Sequence, residues 1–313
     1  MVSVHRKMID LGLAIAESKI YHEGKIWSRY SNDKVDIGEV LAMAIRALSK
    51  ALPLSRKLRA LSIGSSAEPQ FRLLETAFRG GLFLIDVDNN ALDIVRERIR
   101  RQHTSHVTVI RDDYTGLFQN RRSTGAFLKA ALGGKRTELI TLHHSLYYCQ
   151  ENAWGPIFEN LYRDILASRG AIHAVLMSAE SGDSFTTTWL YNHFVGRFFG
   201  CLNDQNLRAF KEVLRKNALF KNARIHARTH RVRFFVDDFE KFMAVIWMIL
   251  LYPDVHQYSQ RQKEEIVEFV YKKFWLKKAP LVQLQDHLIL SRGIECKELL
   301  SAFFREPRLV RRG

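Results

Sequence analysis

The feature that most constrains the fold is a regular alternation of short apolar segments with amphipathic ones between residues 58 and 178. Strands are predicted at 58–64, 82–86, 107–111, 138–145 and 171–178, and helices at 69–80, 90–102 and 153–168. Strands joined in this order by helices run parallel, because each helix carries the chain back to the same edge of the sheet. The pattern therefore predicts an α/β fold with a doubly wound, mostly parallel sheet.

Two further strands are expected in the last third of the chain. The alternating segment 223–236 and the final strand 280–292 are predicted to form an antiparallel edge pair, which brings the sheet to seven strands. Helices are expected at 202–217, 237–252 and 261–275. The last two interrupt the edge pair, so we predict a helical insertion that covers the carboxyl edge of the sheet.

The ends of the chain complete a division into four parts. Residues up to about 52 have helical spacing, and Pro53 ends the last helix there. The basic stretch 118–136 is predicted to be a loop with a short helix. The predicted parts are an N-terminal helical cap (1–53), an α/β core (54–236), the helical insertion (237–279), and the last strand with a basic tail (280–313).

The chain has 313 residues and a formal net charge of +15, which could attract nucleic acid or another anionic partner. The basic residues are scattered over distant segments and alternate with apolar residues, as on the solvent side of helices. A solvated basic surface is therefore the favoured interpretation. A nucleic acid or anionic partner remains open.

The spacing of the cysteines and the length of the apolar runs indicate the cellular compartment. The three cysteines contain no CxxC pair, which argues against a zinc ribbon or a disulfide framework and favours a reducing compartment. The N-terminal segment lacks the uninterrupted apolar stretch of a secretory signal. The longest apolar run, 242–252, is too short to span a bilayer. We predict a cytoplasmic protein with no transmembrane segment.

The first strand leads into "LSIGSSAEPQ", residues 61–70, which has the composition of a ligand-binding turn. Gly64 permits a tight exit from the strand, and the small residues Ser65, Ser66 and Ala67 would let a ligand approach the backbone. In an open parallel sheet, ligands bind beyond the carboxyl ends of the strands, which is where this turn is expected. An ordinary βα corner is the alternative.

The next two turns carry acidic residues. Asp86 ends the second predicted strand about twenty residues after Gly64, where a carboxylate can accept hydrogen bonds from both hydroxyls of a ribose. Asp88 could instead cap the helix that follows. Asp112 and Asp113 follow the third strand, where a carboxylate could meet an adenine amino group, although both could be turn formers. Together the three turns favour a nucleoside site.

In order and spacing, "LSIG", "IDVDNNALDIVRERI", "VTVIRDDYTGLF" and "ELITLHHSLYYCQENAWGPIFENLYRDIL" resemble the class I S-adenosylmethionine-dependent methyltransferases. The likeness covers residues 58 to 180. More narrowly, "LSIGSSAEPQFRLL" with "HHSLYY" is similar to the histamine N-methyltransferase branch. The resemblance implies the Rossmann-like methyltransferase fold, S-adenosylmethionine as cofactor of the core 54–236, and methyl transfer to a nitrogen or oxygen of a small-molecule acceptor by in-line displacement.

The first turn departs from the family pattern. Glycines of the family are replaced by Ser66 and Glu68, and Ser62 stands where an acid is common. Ser62 could contact the methionine carboxylate and Glu68 its ammonium, but the same changes suit a fold that has lost the cofactor. The predicted cofactor-binding residues are Gly64, Ser65, Ser66, Glu68, Asp86, Val87, Asp112, Asp113 and His143.

Candidate catalytic residues follow the fourth strand. His143 or His144 could take a proton from the acceptor, and Tyr147 could line the acceptor site; all three could also be structural. Neighbouring residues on a strand point to opposite faces, so at most one of the two histidines should face the site. No metal site is expected, since His226 and His230 would lie about 13 Å apart on one strand.

Two other functions stay open beside a small-molecule methyltransferase. The first is an RNA or protein methyltransferase. The second is a cofactor-free binding protein that uses the same fold and its basic surface.

Overall fold

A seven-stranded sheet organises this protein, whose computed structural model describes residues 4–17, 23–53, 55–64, 66, 68–250 and 257–294. Its strands are β1 (Arg59–Ile63), β2 (Gly81–Asp86), β3 (Val107–Arg111), β4 (Thr137–His143), β5 (Leu166–Met177), β6 (Arg224–Phe234) and β7 (Leu281–Arg292). The strand order is β3-β2-β1-β4-β5-β7-β6, and the pairings β1–β2, β1–β4, β2–β3 and β4–β5 are parallel. The predicted seven-stranded, mostly parallel sheet is confirmed.

Helices connect and flank the strands. Those of the described residues are α1 (Val4–Ile15), α2 (Glu23–Tyr30), α3 (Asp33–Ala51), α4 (Phe71–Ala77), α5 (Asn89–Gln102), α6 (Tyr114–Phe118), α7 (Arg121–Ala130), α8 (Glu151–Asn160), α9 (Thr187–Phe199), α10 (Leu207–Lys216), α11 (Phe239–Leu250) and α12 (Gln260–Val270). Helix α7 is the short helix expected in the basic stretch, and α11 and α12 lie in the predicted insertion. Helix α9 was not foreseen.

Several predicted elements end or begin elsewhere. The α-helix predicted at 153–168 ends at Asn160, and β5 begins at Leu166 rather than at 171. The fourth strand stops at His143, because His144 has a φ of +53°, which an extended strand does not accommodate. The helix predicted from residue 202 begins at Leu207. In the segment before it, the Asn203 N–H donates to Asn192 Oδ1 at 2.8 Å and the Asn203 side chain donates to the Ser178 carbonyl at 3.2 Å. These bonds hold the chain in a non-helical course.

The chain divides into two compact units. Their boundaries differ from those of the four predicted parts, and the division into four parts stays a prediction. One unit contains Met1–Asp36, Met177–Asn206 and Thr229–Asp286; the other contains Ile37–Leu176, Leu207–Arg228 and His287–Gly313. In the second unit, alternate residues of β1 enter different cores: Leu61 and Ile63 pack into one cluster and Ala60 into another. The central strands are therefore buried on both faces, as expected for a doubly wound sheet.

The first unit has a core of its own, rich in aromatic side chains. Phe234, Phe242 and Phe274 are fully buried in it, and α11 and α12 contribute many of its members. This explains the apolar run at 242–252, whose last two residues lie outside the described part of the chain. Among the described residues, no helix is both long and apolar enough to cross a membrane.

Candidate functional site

The strand register brings the predicted site residues to one edge of the sheet. Ile63 pairs with Ile85, so Gly64 and Asp86 follow at the same level, and the Asp112 N–H donates to the Asp86 carbonyl at 3.1 Å. Ser62 pairs with Thr141, which places His143 level with Gly64. The carboxyl ends of four parallel strands therefore meet where the sequence predicted the site.

Three described residues of the first turn have a positive φ, although only one of them is a glycine. Gly64 has a φ of +61°, and a Cβ built there would lie 2.7 Å from Ser145 Cβ. Ser66 and Glu68 also have positive φ angles, +52° and +47°. Side chains rarely adopt these angles, so the surrounding bonds must hold them there. Ser65, one of the predicted cofactor-binding residues, lies outside the described residues.

Glu68 turns its carboxylate into the protein. The residue is only 1% exposed. Its Oε2 accepts a hydrogen bond from the Ser62 hydroxyl, and its Oε1 accepts from the Gln70 N–H at 3.0 Å. The Arg98 guanidinium donates to the Glu68 carbonyl at 3.2 Å. Two donors thus share a buried carboxylate, which stabilises the unusual backbone of the turn.

Asp86 ties the first turn to the second. Its Oδ2 accepts from the Ser66 N–H at 2.8 Å, and its Oδ1 accepts from the Asp88 N–H at 2.9 Å. The neighbouring Val87 is 59% exposed. A carboxylate and an exposed apolar surface therefore stand together at the end of β2.

The other acidic residues of these turns accept hydrogen bonds from backbone N–H groups one or two residues further along the chain. Asp88 caps α5 by accepting from the Asn90 N–H at 2.8 Å, as the capping alternative predicted. Asp113 caps α6 by accepting from the Thr115 N–H at 2.9 Å, and Asp112 accepts from the Asp113 N–H at 2.8 Å. Both Asp112 and Asp113 are exposed at the edge of the sheet. Helix capping explains Asp88 and Asp113 without a ligand.

The two histidines after β4 have different surroundings. His143 is buried, and its Nε2 lies 3.0 Å from Nδ1 of His173. Burial, with His144 and His287 nearby, lowers the pKa of His143 well below its ordinary value. His144 is half-buried, and its ring lies parallel to that of Tyr147, with centroids 6.0 Å apart and Nδ1 3.4 Å from the phenol oxygen. Of the pair, His144 is the more accessible.

Sequence reasoning missed Ser145 and Tyr114, which pack around Gly64. The Tyr114 hydroxyl donates to the Ser145 carbonyl at 2.8 Å, and burial raises the pKa of Tyr114. The Ser145 hydroxyl is buried and has no hydrogen-bond partner within the described part of the chain. An unpartnered hydroxyl beside the Gly64 turn is an unsatisfied polar group at the predicted site. The adjacent "HHSLYY" motif was the only available signal for it.

Basic residues on two of the described helical segments pair with acids of the same segment. On α5, Arg96 pairs with Asp93 at 2.7 Å, and Arg100 and Arg101 both pair with Glu97. Near the end of α12, Lys272 pairs with Glu268 at 2.6 Å. These i,i+3 and i,i+4 pairs agree with a solvated helical surface. The basic C-terminal tail lies outside the described residues.

No protein-family model and no curated protein matches the chain. Among solved structures, YcgJ of Bacillus subtilis has 11% identity and a TM-score of 0.49, over 81% of this chain and 98% of that one. Phosphoethanolamine N-methyltransferase 2 of Haemonchus contortus has 14% identity and a TM-score of 0.45, over 80% of this chain and 52% of that one. A putative sarcosine dimethylglycine methyltransferase of Galdieria sulphuraria has 12% identity and a TM-score of 0.46, over 82% of this chain and 86% of that one. These similarities are loose, so the fold assignment rests on the strand order.

Proposed function

We propose that the protein is an S-adenosylmethionine-dependent methyltransferase that transfers a methyl group to a nitrogen or oxygen of a small-molecule acceptor. The observation that carries the proposal is the backbone of the first turn. Ser66 and Glu68 hold positive φ angles at the two positions where the resembled family has glycines. A turn that had become an ordinary corner would have no reason to keep two strained residues.

The residues at the edge fit the nucleoside end of this cofactor. Gly64 leaves no space for a side chain of its own, and the unpartnered Ser145 hydroxyl lies beside it. Each Asp86 oxygen accepts one backbone N–H and has a second lone pair, so both can also accept from ribose hydroxyls. Val87 offers an exposed apolar surface to a base. We assign Glu68 to shaping the turn, because its carboxylate is buried and bonded.

When bound, the cofactor supplies a methyl group activated by a sulfonium. The chain then has to align the acceptor and exclude water, which can provide most of the rate of an in-line displacement. We assign His144 to receiving a proton from the acceptor, since it is half-buried and its Nδ1 lies 3.4 Å from the Tyr147 hydroxyl. Tyr147 is assigned to orienting that ring.

Calorimetric titration with S-adenosylmethionine and S-adenosylhomocysteine tests the proposal. Both compounds should bind, and Asp86→Ala should weaken binding by about 1.5–3 kcal/mol through loss of charged hydrogen bonds. Asp88→Ala is the matched control, because Asp88 also accepts a backbone N–H after β2 but serves to cap α5. Equal affinities for the wild type and the Asp86 variant would remove Asp86 from the site.

One observation favours a second candidate, a cofactor-free binding protein on the same fold. The carboxylates of Asp86 and Glu68 both accept hydrogen bonds from the chain itself, so the turn is stable without a ligand. A folded wild-type protein that gives no heat with either compound would select this candidate. An RNA or protein acceptor is less favoured, because basic residues on α5 and near the end of α12 have acidic partners in the same helical segment.

A further inference from the structure

Three histidines on neighbouring strands form a buried chain of hydrogen bonds. His143 ends β4, His173 lies in β5 and His287 lies in β7, and these strands are adjacent in the sheet. His143 Nε2 is 3.0 Å from His173 Nδ1, and His173 Nε2 is 3.1 Å from His287 Nδ1. The rings thus provide a continuous path of nitrogen atoms from the end of β4 across the sheet.

The chemistry of imidazole couples the three rings. A neutral imidazole has one N–H donor and one acceptor nitrogen. Because His173 is bonded through both nitrogens, its two neighbours must orient their protons in the same sense. Either all three rings carry the proton on Nε2, or all three carry it on Nδ1. The three hydrogen-bonded histidines therefore have two states, each with the same tautomer in all three rings. One state becomes the other when one proton passes along the row of rings.

We propose that His143, His173 and His287 form a proton relay that starts at the edge of the candidate site. A proton binds to Nδ1 of His143, and the Nε2 proton of His143 moves to Nδ1 of His173. The Nε2 proton of His173 then moves to Nδ1 of His287, which for that moment holds two ring protons and the positive charge. When the core opens locally, His287 loses its Nε2 proton to solvent, and all three rings then carry their proton on Nδ1. Only N–H bonds break and form. The relay rests on the proposed function, because the proton that enters it is the one that the acceptor loses when it is methylated.

The geometry identifies His143 as the entrance. His173 and His287 are 0% exposed, whereas His143 is 6% exposed. The His143 Nε2 is engaged with His173, and no hydrogen bond to its Nδ1 occurs within the described residues. His144, the candidate proton acceptor, is the next residue in the chain. Burial lowers the pKa of His143, so its ring is neutral at rest and a proton that enters at Nδ1 is not retained on this ring.

The first test measures the ring tautomers in the wild-type protein by long-range ¹H–¹⁵N NMR of ¹⁵N-labelled histidine at pH 7.5. The relay requires the same tautomer in all three rings. A mixed set, such as His143 with its proton on Nε2 and His287 with its proton on Nδ1, would overturn it. This test needs no variant.

The second test measures how fast the ring protons of His173 and His287 exchange with solvent. If protons enter through His143, the variant His143→Gln should slow this exchange at least about tenfold, because exchange must then wait for local opening of the core. His106→Gln is the control: the half-buried His106 bonds the Glu75 carbonyl and makes no hydrogen bond to the three histidines. Unchanged exchange rates in His143→Gln would overturn the relay.

Neither test uses a cofactor or an acceptor, so the two proposals fail separately. Absence of S-adenosylmethionine binding, with matched tautomers and exchange gated by His143, would overturn the proposed function and leave the relay. Cofactor binding with mixed tautomers would do the reverse.

Discussion

The turns after β1 and β2 lie side by side at the same edge of the sheet, yet they are built differently. The second turn is an ordinary connection in which Asp88 caps α5. The first turn holds Ser66 and Glu68 at positive φ and buries the Glu68 carboxylate beneath them. The second turn forms from local preferences, whereas the first depends on bonds to residues outside it. Strain maintained in this way is typical of functional sites.

The largest expected effect is at Gly64. Gly64→Ala should lower the free energy of unfolding by about 3 kcal/mol, because the new Cβ would be strained at φ +61° and would overlap Ser145. Gly133→Ala is the matched control, since Gly133 has the same φ and nothing within 4 Å of the added Cβ. It should cost only about 1 kcal/mol. Equal losses in urea denaturation would show that Ser145 does not constrain the turn.

A smaller loss of stability is expected when the hydrogen bond between Ser62 and the buried Glu68 carboxylate is removed. Ser62→Ala removes a donor to the Glu68 carboxylate and should destabilise the protein by about 2 kcal/mol. In a Glu68→Gln background the same change should cost less than about 1 kcal/mol, since no buried charge remains to be stabilised. A double-mutant cycle in urea measures the difference. Additive effects would mean that Ser62 does not act through Glu68.

The second turn should respond as a simple helix cap. Asp88→Ala should cost about 1 kcal/mol through the lost bond to the Asn90 N–H, and Asp88→Asn should cost nearly nothing because asparagine also caps. Thermal or urea unfolding of both variants checks this. A loss in Asp88→Asn as large as that of Ser62→Ala would contradict the contrast between the turns.

The smallest expected effect is a gain. Ser66→Gly should stabilise the protein by about 0.5 kcal/mol, since relief of the positive φ at Ser66 outweighs the greater chain entropy of glycine in the unfolded state. Ser66→Ala keeps a Cβ at the same backbone angle and should show no gain. If Ser66→Gly destabilises the protein in urea unfolding, the turn is not strained at this position.

The amino-acid pattern was enough to predict the sheet and the edge at which the predicted site residues lie. Alternating apolar segments and helices leave a parallel sheet as the way to bury both, and residues that follow parallel strands gather at one edge. The position of Gly64, Asp86 and His143 at one edge followed from this reasoning, and so did the cap at Asp88. These positions could be inferred because they depend on spacing along the chain, whereas the role of the three edge residues stays a prediction.

Only the tertiary structure decided the backbone of the first turn, the end of β4 and the histidine chain. The positive φ angles of Ser66, Glu68 and His144 oppose the local preference of these residues. Each also has a bond to a distant part of the chain: the Ser66 N–H donates to Asp86, Arg98 donates to the Glu68 carbonyl, and the His144 N–H donates to the Val175 carbonyl. His143, His173 and His287 are far apart in sequence and meet because β4, β5 and β7 are neighbours in the sheet. Strand order depends on how the whole core packs, and no spacing along the chain encodes it.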